Sequence, residues 1–202
     1  MNPKIQNKRW SLLSLRSACV GVALLMLGTF SQSLQAQDSP EKPSGAGILY
    51  GVRLGLLAHD VGGLWSHSRT EGGADINAEI VFGKPSLRLL SGAILPNLGV
   101  SINSQGGTSK AYGGLLWEFL FDTGLFANSG VGLAIHNGQL ESDDANKKQL
   151  GSRVLFRVPI EFGFTIYERH RISILFDHIS NAYLASPNEG LDTLGVRYGF
   201  QF

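Results

Sequence analysis

The sequence predicts an all-β fold, an eight-stranded antiparallel transmembrane β-barrel. Apolar and polar residues alternate at every second position through segments of about ten residues, the period of a strand with one greasy face. The connections between these segments alternate long and short, as in a barrel with loops on one side of a membrane and turns on the other. Beyond the N-terminal region no segment approaches the ~20 consecutive apolar residues of a membrane helix, which excludes helical spans but not strands.

At the N-terminus, Lys4, Lys8, Arg9 and Arg16 precede the apolar run ACVGVALLMLGTF from Ala18 to Phe30, and small and polar residues follow up to Ala36. This is the pattern of a secretory signal peptide, too short to span a bilayer. Residues 1–36 are read as a cleaved signal, with a cut after Ser33 as the alternative because Leu34 is not the small residue expected two places before Ala36. Cys19, the one cysteine, leaves with the signal, and Arg16-Ser17-Ala18 before it is not a lipobox. A mature chain without cysteine holds neither a disulfide nor a thiolate metal site. Residues 37–45, QDSPEKPSG, read as a disordered lead-in, and residues 46–202 as the barrel. A net charge of +1 gives no basic field for nucleic acid.

In the first strand Ile48, Tyr50, Val52, Leu54 and Leu56 share the outward face, against Leu49, Gly51, Arg53 and Gly55. A glycine-rich loop from His59 to Ala74 follows. In the second strand Ile76, Ala78, Ile80 and Phe82 alternate with Asp75, Asn77, Glu79 and Val81, and Gly83-Lys84-Pro85 makes a short turn. The third strand lies within Ser86 to Asn103, where Leu89-Leu90 and Pro96 suggest a bulge or register change. Ala111 to Phe121 is the fourth strand, Asp122-Thr123-Gly124 a tight turn, and Leu125 to Ile135 the fifth strand. After a polar loop from His136 to Leu150, the sixth strand carries Val154, Phe156, Val158, Ile160, Phe162, Phe164 and Ile166 outward. A turn at Tyr167 to His170 leads into the last two strands, Arg171 to Ser180 and Asp192 to Phe202, and the apolar alternation ends on an aromatic residue. That ending is similar to the C-terminal signature of bacterial outer-membrane barrels.

An eight-stranded barrel is just wide enough inside for side chains to fill it. The inward set includes Arg53, Glu79, Glu118, Arg157, Glu161, Asp177 and Arg197, mixed in sign and able to neutralise one another as a structural plug. His59, His67, His136 and His170 have no partner at metal-ligand spacing. Lys110, Lys147, Lys148 and Arg153, near the outer loop ends, are read as solvated loop charges, with contacts to lipid phosphates as the other reading.

The last two strands carry the candidate chemistry. Ile172, Ile174 and Phe176 share an apolar face that His178 and Ser180 continue, and Asp192 begins the apolar face of the following strand. Side chains two apart on a strand stand close enough for an imidazole nitrogen to take a serine proton, and a carboxylate on the neighbouring strand can hold the other ring nitrogen. Together they supply a nucleophile, a base and an orienting acid for acyl transfer or ester hydrolysis. Polar residues at the interface end of a strand also occur without chemistry, but an ionisable group on a lipid face is unfavourable and tends to be functional.

The segment His178-Ile179-Ser180-Asn181-Ala182, followed by Pro187-Asn188-Glu189-Gly190-Leu191-Asp192 and an aromatic-ending strand, resembles the active-site region of the PagL family of lipid A 3-O-deacylases. The resemblance implies an outer-membrane hydrolase that removes the ester-linked 3-hydroxyacyl chain at position 3 of lipid A, without a cofactor or metal. It implies Ser180 as nucleophile, His178 as general base, Asp192 as the acidic member and Asn181 as an oxyanion-hole candidate. The acidic position is more familiar in the family as glutamate, so the shorter Asp192 needs a closer backbone, and Glu189 is the substitute. The expected partners are lipid A and the outer membrane, and a homodimer is compatible with the sequence. Two other readings stand beside it: a non-enzymatic barrel of the OmpA or OmpX type, and a phospholipase or acyltransferase using the same trio.

Overall fold

The computed structural model describes residues 48–66, 70–83 and 86–202; the signal, the lead-in, His67 and the Lys84-Pro85 turn lie outside the described residues. Eight long strands form: β1 (Leu49–Ala58), β2 (Ala74–Phe82), β3 (Gly92–Asn103), β4 (Lys110–Leu120), β5 (Leu125–His136), β6 (Val154–Ile166), β7 (His170–Ser180) and β8 (Leu191–Gln201). Each pairs antiparallel with its chain neighbours. β1 also pairs with β8, Val52 opposite Phe200 and Leu56 opposite Val196, so the sheet closes into a barrel. Closure leaves no unpaired edge, which is what allows strands to stand in lipid.

The connections at one end are loop 1 (59–73), loop 2 (104–109), loop 3 (137–153) and loop 4 (181–190). At the other end 121–124 and 167–169 are tight turns, while 83–91 is longer than loop 2, so the expected alternation of long and short does not hold there. Outward residues such as Leu54, Leu56, Ile76, Leu98, Val131, Phe162, Ile174 and Val196 stay exposed. A continuous apolar band of this kind is not tolerated in water, and it matches the lipid-facing wall of a membrane barrel.

Two local features differ from the expected pattern. The β1–β2 register shifts between Leu49 and Gly51, and this bulge turns Tyr50 inward, where its hydroxyl donates to Glu118 Oε1 at 2.5 Å. Leu89-Leu90 is not a bulge in the third strand. Arg88 pairs with Ala93 and Leu89 with Gly92 in a two-residue hairpin, whose central Leu90 and Ser91 have φ of +49° and +67°. Two left-handed residues in succession are the hairpin turn that matches strand twist, so the long strand starts only at Gly92. A Cβ there would come within 2.0 Å of Trp117 Nε1, which donates to Leu89 O at 2.8 Å. Pro96 sits just beyond the β2–β3 ladder, whose last pair is Val81 and Asn97, where a missing N–H is tolerated.

All seven of the expected inward charged residues are buried. Arg197 Nη2 lies 2.7 Å from Glu161 and its Nη1 3.2 Å from Glu79; Arg53 bridges Glu79 at 2.9 Å and Glu161 at 3.2 Å. Arg157 and Lys110 share Asp177 at 2.6 and 2.7 Å, and Arg171 pairs with Glu118. An apolar cluster of Tyr112, Ala134, Leu150, Leu155, Ile179 and Leu191 lies toward the loops, and one of Tyr50, Val81, Ala93, Leu95 and Leu116 toward the turns. The interior is therefore a packed core with a charged belt, and ligand chemistry is left to the outside wall and the loops.

Glu161 is the hub of that belt, because it also accepts from Ser173 Oγ at 2.5 Å and Asn128 Nδ2 at 2.8 Å. Removing one partner of a buried pair leaves an uncompensated charge, so Glu161→Gln is expected to destabilise the barrel by about 3–5 kcal/mol. Urea unfolding in lipid vesicles checks this, and an unchanged midpoint would show that the guanidinium groups do not depend on Glu161.

Candidate active site

His178 and Asp192 are directly opposed on the β7–β8 ladder, and Ser180 ends β7 on the same face as His178. A direct pair brings Cα atoms to about 4.5–5.5 Å, close enough for the short arm of aspartate. Asp192 Oδ1 lies 2.6 Å from His178 Nδ1, and His178 Nε2 lies 3.0 Å from Ser180 Oγ. A carboxylate only accepts, so Nδ1 carries the proton and Nε2 is left to accept from the serine hydroxyl. The three side chains form one unbroken hydrogen-bonded line on the outer wall.

Asp192 is fully buried, because loop 1 folds over it. Its Oδ2 accepts the backbone N–H groups of Trp65 and Ser66, each at 2.7 Å, and its carbonyl accepts from Val61 N at 2.8 Å. The Trp65 indole meets the imidazole of His178 edge-on at 5.1 Å between centroids and the ring of Phe176 at 5.3 Å. This clamp left no mark in the sequence beyond a tryptophan in a glycine-rich loop, since its donors are main-chain groups.

Asn181 occupies a different place from the one expected. Its backbone N–H donates to Asn188 Oδ1 at 3.0 Å, and its amide nitrogen donates to Leu150 O at 3.0 Å and Pro187 O at 2.8 Å. With these donors engaged, Asn181 is a buried brace between loops 3 and 4 rather than an oxyanion donor. Glu189 likewise faces loop 3: its Oε2 accepts from Gln149 N at 2.7 Å and its N–H donates to Gln149 O at 3.1 Å. The residue beside His178 is Asp192.

The lysines expected at solvent are also displaced. Lys110 points into the barrel on Asp177, and Lys148 is buried with its ammonium 3.2 Å from Asp60 Oδ1. Lys147 Nζ donates to Gly106 O, while Arg153 stays exposed with its guanidinium on Gly138 O. His136 Nε2 lies 2.7 Å from Ser152 O, and His170 Nδ1 lies 2.7 Å from Tyr198 Oη.

Lys148 belongs to a polar hub that ties loops 1, 2 and 3 together. His59 Nδ1 lies 2.7 Å from Asp75 Oδ1 and its Nε2 3.2 Å from Glu71 Oε2, while Glu71 accepts from Thr108 N at 2.6 Å and Lys148 N at 2.9 Å. Burial alone would lower the His59 pKa, but the bonds to Asp75 and Glu71 outweigh it and raise it to about 9. Burial would raise Glu71, yet His59 and the two backbone donors hold it down at about 2. A histidine raised in the folded state stabilises fully below its usual value of 6.5 and loses that contribution as pH rises through about 9. Loop 1 is therefore expected to become more sensitive to protease between about pH 8 and 10 in the native protein and not in His59→Gln. Equal pH profiles would show that His59 does not hold the loop.

A closed antiparallel barrel with an apolar outer wall defines the class of outer-membrane barrel proteins. A profile of the lipid A 3-O-deacylase (PagL) family matches residues 91–201, a span that contains His178, Ser180 and Asp192. The lipid A deacylase PagL of Bordetella bronchiseptica is 25% identical over 191 residues, covering 88% of this chain and 95% of that protein. The crystal structure of the outer membrane enzyme PagL has the same fold, with a TM-score of 0.56 at 19% identity over 75% of this chain and 99% of that one. The chain belongs to the PagL family of lipid A 3-O-deacylases, outer-membrane hydrolases acting on ester bonds.

Proposed function

We propose that this protein hydrolyses the ester-linked 3-hydroxyacyl chain at position 3 of lipid A, with Ser180 as nucleophile, His178 as general base and Asp192 as the orienting acid. The observation that carries this reading is the line of hydrogen bonds from Asp192 through His178 to Ser180, 2.6 and 3.0 Å, on an otherwise apolar outer wall. In the first step Ser180 Oγ bonds to the ester carbonyl carbon and its proton passes to His178 Nε2. Collapse of the tetrahedral intermediate breaks the bond to the sugar oxygen, which leaves with that proton as an alcohol. Water then attacks the acyl-enzyme, giving up a proton to His178, and the free hydroxy acid departs as Ser180 recovers its hydrogen. Asp192 holds the tautomer and stabilises the imidazolium in both halves.

The site's place supports the substrate. Ser180 ends its strand at the loop side of the apolar band, where the ester of an outer-leaflet lipid meets water. Residues 1–36 serve in this reading as the export signal. All three side chains come from one chain, so the scheme holds for a monomer and a homodimer alike.

The test offers purified, refolded protein lipid A and a glycerophospholipid side by side, with products read by mass spectrometry. Loss of one 3-hydroxyacyl chain from lipid A, with the phospholipid untouched, is the expected result. Cleavage of the phospholipid alone would transfer the trio to a phospholipase, and no cleavage of either by a folded barrel would remove the assigned reaction.

A further inference from the structure

The contacts between loop 1 and the catalytic line go beyond what a covering loop needs. The Asp192 carboxylate uses Oδ1 for His178 and Oδ2 for two successive main-chain N–H groups, Trp65 and Ser66, at equal distances of 2.7 Å. Two donors on one oxygen fix the rotation of the carboxylate about its own axis, so the other oxygen is aimed at Nδ1. The segment is itself fastened by the residues before it: Val61 N–H reaches the Asp192 carbonyl, and Gly63 N–H donates to Ser66 O at 3.2 Å. Further back, Asp60 accepts the Glu71 N–H at 2.7 Å and pairs with Lys148 of loop 3.

The indole adds a second constraint. Trp65 is 52% exposed, so it fills no core. Its buried side lies against His178 and Phe176, T-shaped to both rings, and closes one side of the imidazole to water. An edge-to-face contact of this kind restricts ring rotation. Loop 1 also lies outside residues 91–201, the span matched to the family.

We infer that Trp65 and Ser66 are positioning residues of the hydrolase: their backbone amides lock the Asp192 carboxylate, and the Trp65 indole locks and shields the His178 ring. This rests on the Ser–His–Asp reading above. The direct strand pairing brings the short aspartate arm within reach of His178, and loop 1 fixes how its carboxylate is turned.

A fluorophosphonate probe reads nucleophile activation without lipid recognition. Ser180 Oγ bonds to phosphorus, the P–F bond breaks, fluoride leaves and the hydroxyl proton goes to His178 Nε2. The full-length barrel, refolded in detergent micelles, is labelled as wild type, Trp65→Ala, Trp65→Phe and Ser66→Pro, the last lacking one amide donor. Folding is verified by the gel shift between unheated and heated samples, and the labelled residue by peptide mass spectrometry. The limiting labelling rate at saturating probe is expected to fall about tenfold or more in Trp65→Ala and Ser66→Pro, the scale on which small misplacements reduce rate. The probe's half-saturation concentration is expected to stay the same, and Trp65→Phe to stay within about threefold of wild type. Wild-type limiting rates in folded Trp65→Ala would overturn the inference, as would a Trp65→Phe protein as slow as Trp65→Ala. If Ser66→Pro does not fold, the Ala and Phe pair decides. A wild-type protein that deacylates lipid A without labelling at Ser180 would instead overturn the Ser–His–Asp reading, and this inference with it.

Discussion

Ser180→Ala is expected to lower deacylation of lipid A by at least about four orders of magnitude while the barrel folds as before. The size follows from how such sites behave: the nucleophile and its base act as one unit, and losing either removes nearly the whole of their joint contribution. The fold is expected to survive because Ser180 lies at the end of β7, and its hydroxyl is bonded to His178 on the outer wall, away from the charged interior. His178→Ala is expected to match it in size. Mass spectrometry of lipid A from Gram-negative cells expressing each form checks both. A full complement of deacylated lipid A in the Ser180→Ala cells would mean that another oxygen attacks the ester.

Asp192→Asn is expected to cost about 10⁴-fold in kcat, the scale of the wrong-tautomer effect in serine hydrolases. Loop 1 determines which way the new amide points. Two backbone N–H groups at 2.7 Å demand the oxygen on their side, which leaves the NH₂ facing His178. The imidazole must then accept at Nδ1 and carry its proton on Nε2, where it has no acceptor capacity left for Ser180. Asp192→Glu is expected to retain more activity, about one tenth of wild type, because the charge survives but the longer arm must bend between a direct strand partner and the loop. Steady-state kinetics on lipid A, with folding verified in each sample, separates the two. An Asn form as active as the Glu form would show that tautomer control is not the role of Asp192.

The strands were legible because the period of two is strict, and it placed the interior charges correctly: Arg53, Glu79, Glu118, Arg157, Glu161, Asp177 and Arg197 are all buried. The same period put His178, Ser180 and Asp192 on the apolar faces of the last two strands, where the ladder pairs His178 with Asp192. Tyr50 broke the pattern because one extra residue in β1 shifts the faces without changing composition. Leu90 and Ser91 make a turn without the glycine or asparagine that would have marked it. The errors over Lys110, Lys148 and Asn181 share a cause of another kind. Their partners Asp177, Asp60 and Leu150 come from other strands and loops that meet only in the folded barrel. The clamp from Trp65 and Ser66 was hidden because backbone amides have no side-chain signature.

In the proposed mechanism, the direct pairing of His178 with Asp192 on the β7–β8 ladder ties catalysis to cooperativity. In many enzymes the active site sits on loose elements that open before the rest of the molecule does. Here His178 and Asp192 are rungs of a closed sheet, and separating them means unzipping strands that lipid will not accept unpaired. The pairing of His178 with Asp192 therefore persists until the barrel as a whole gives way. In the proposed mechanism, hydrolysis lost before the fold on heating or in denaturant would trace to the release of loop 1 from Asp192 and not to the strands.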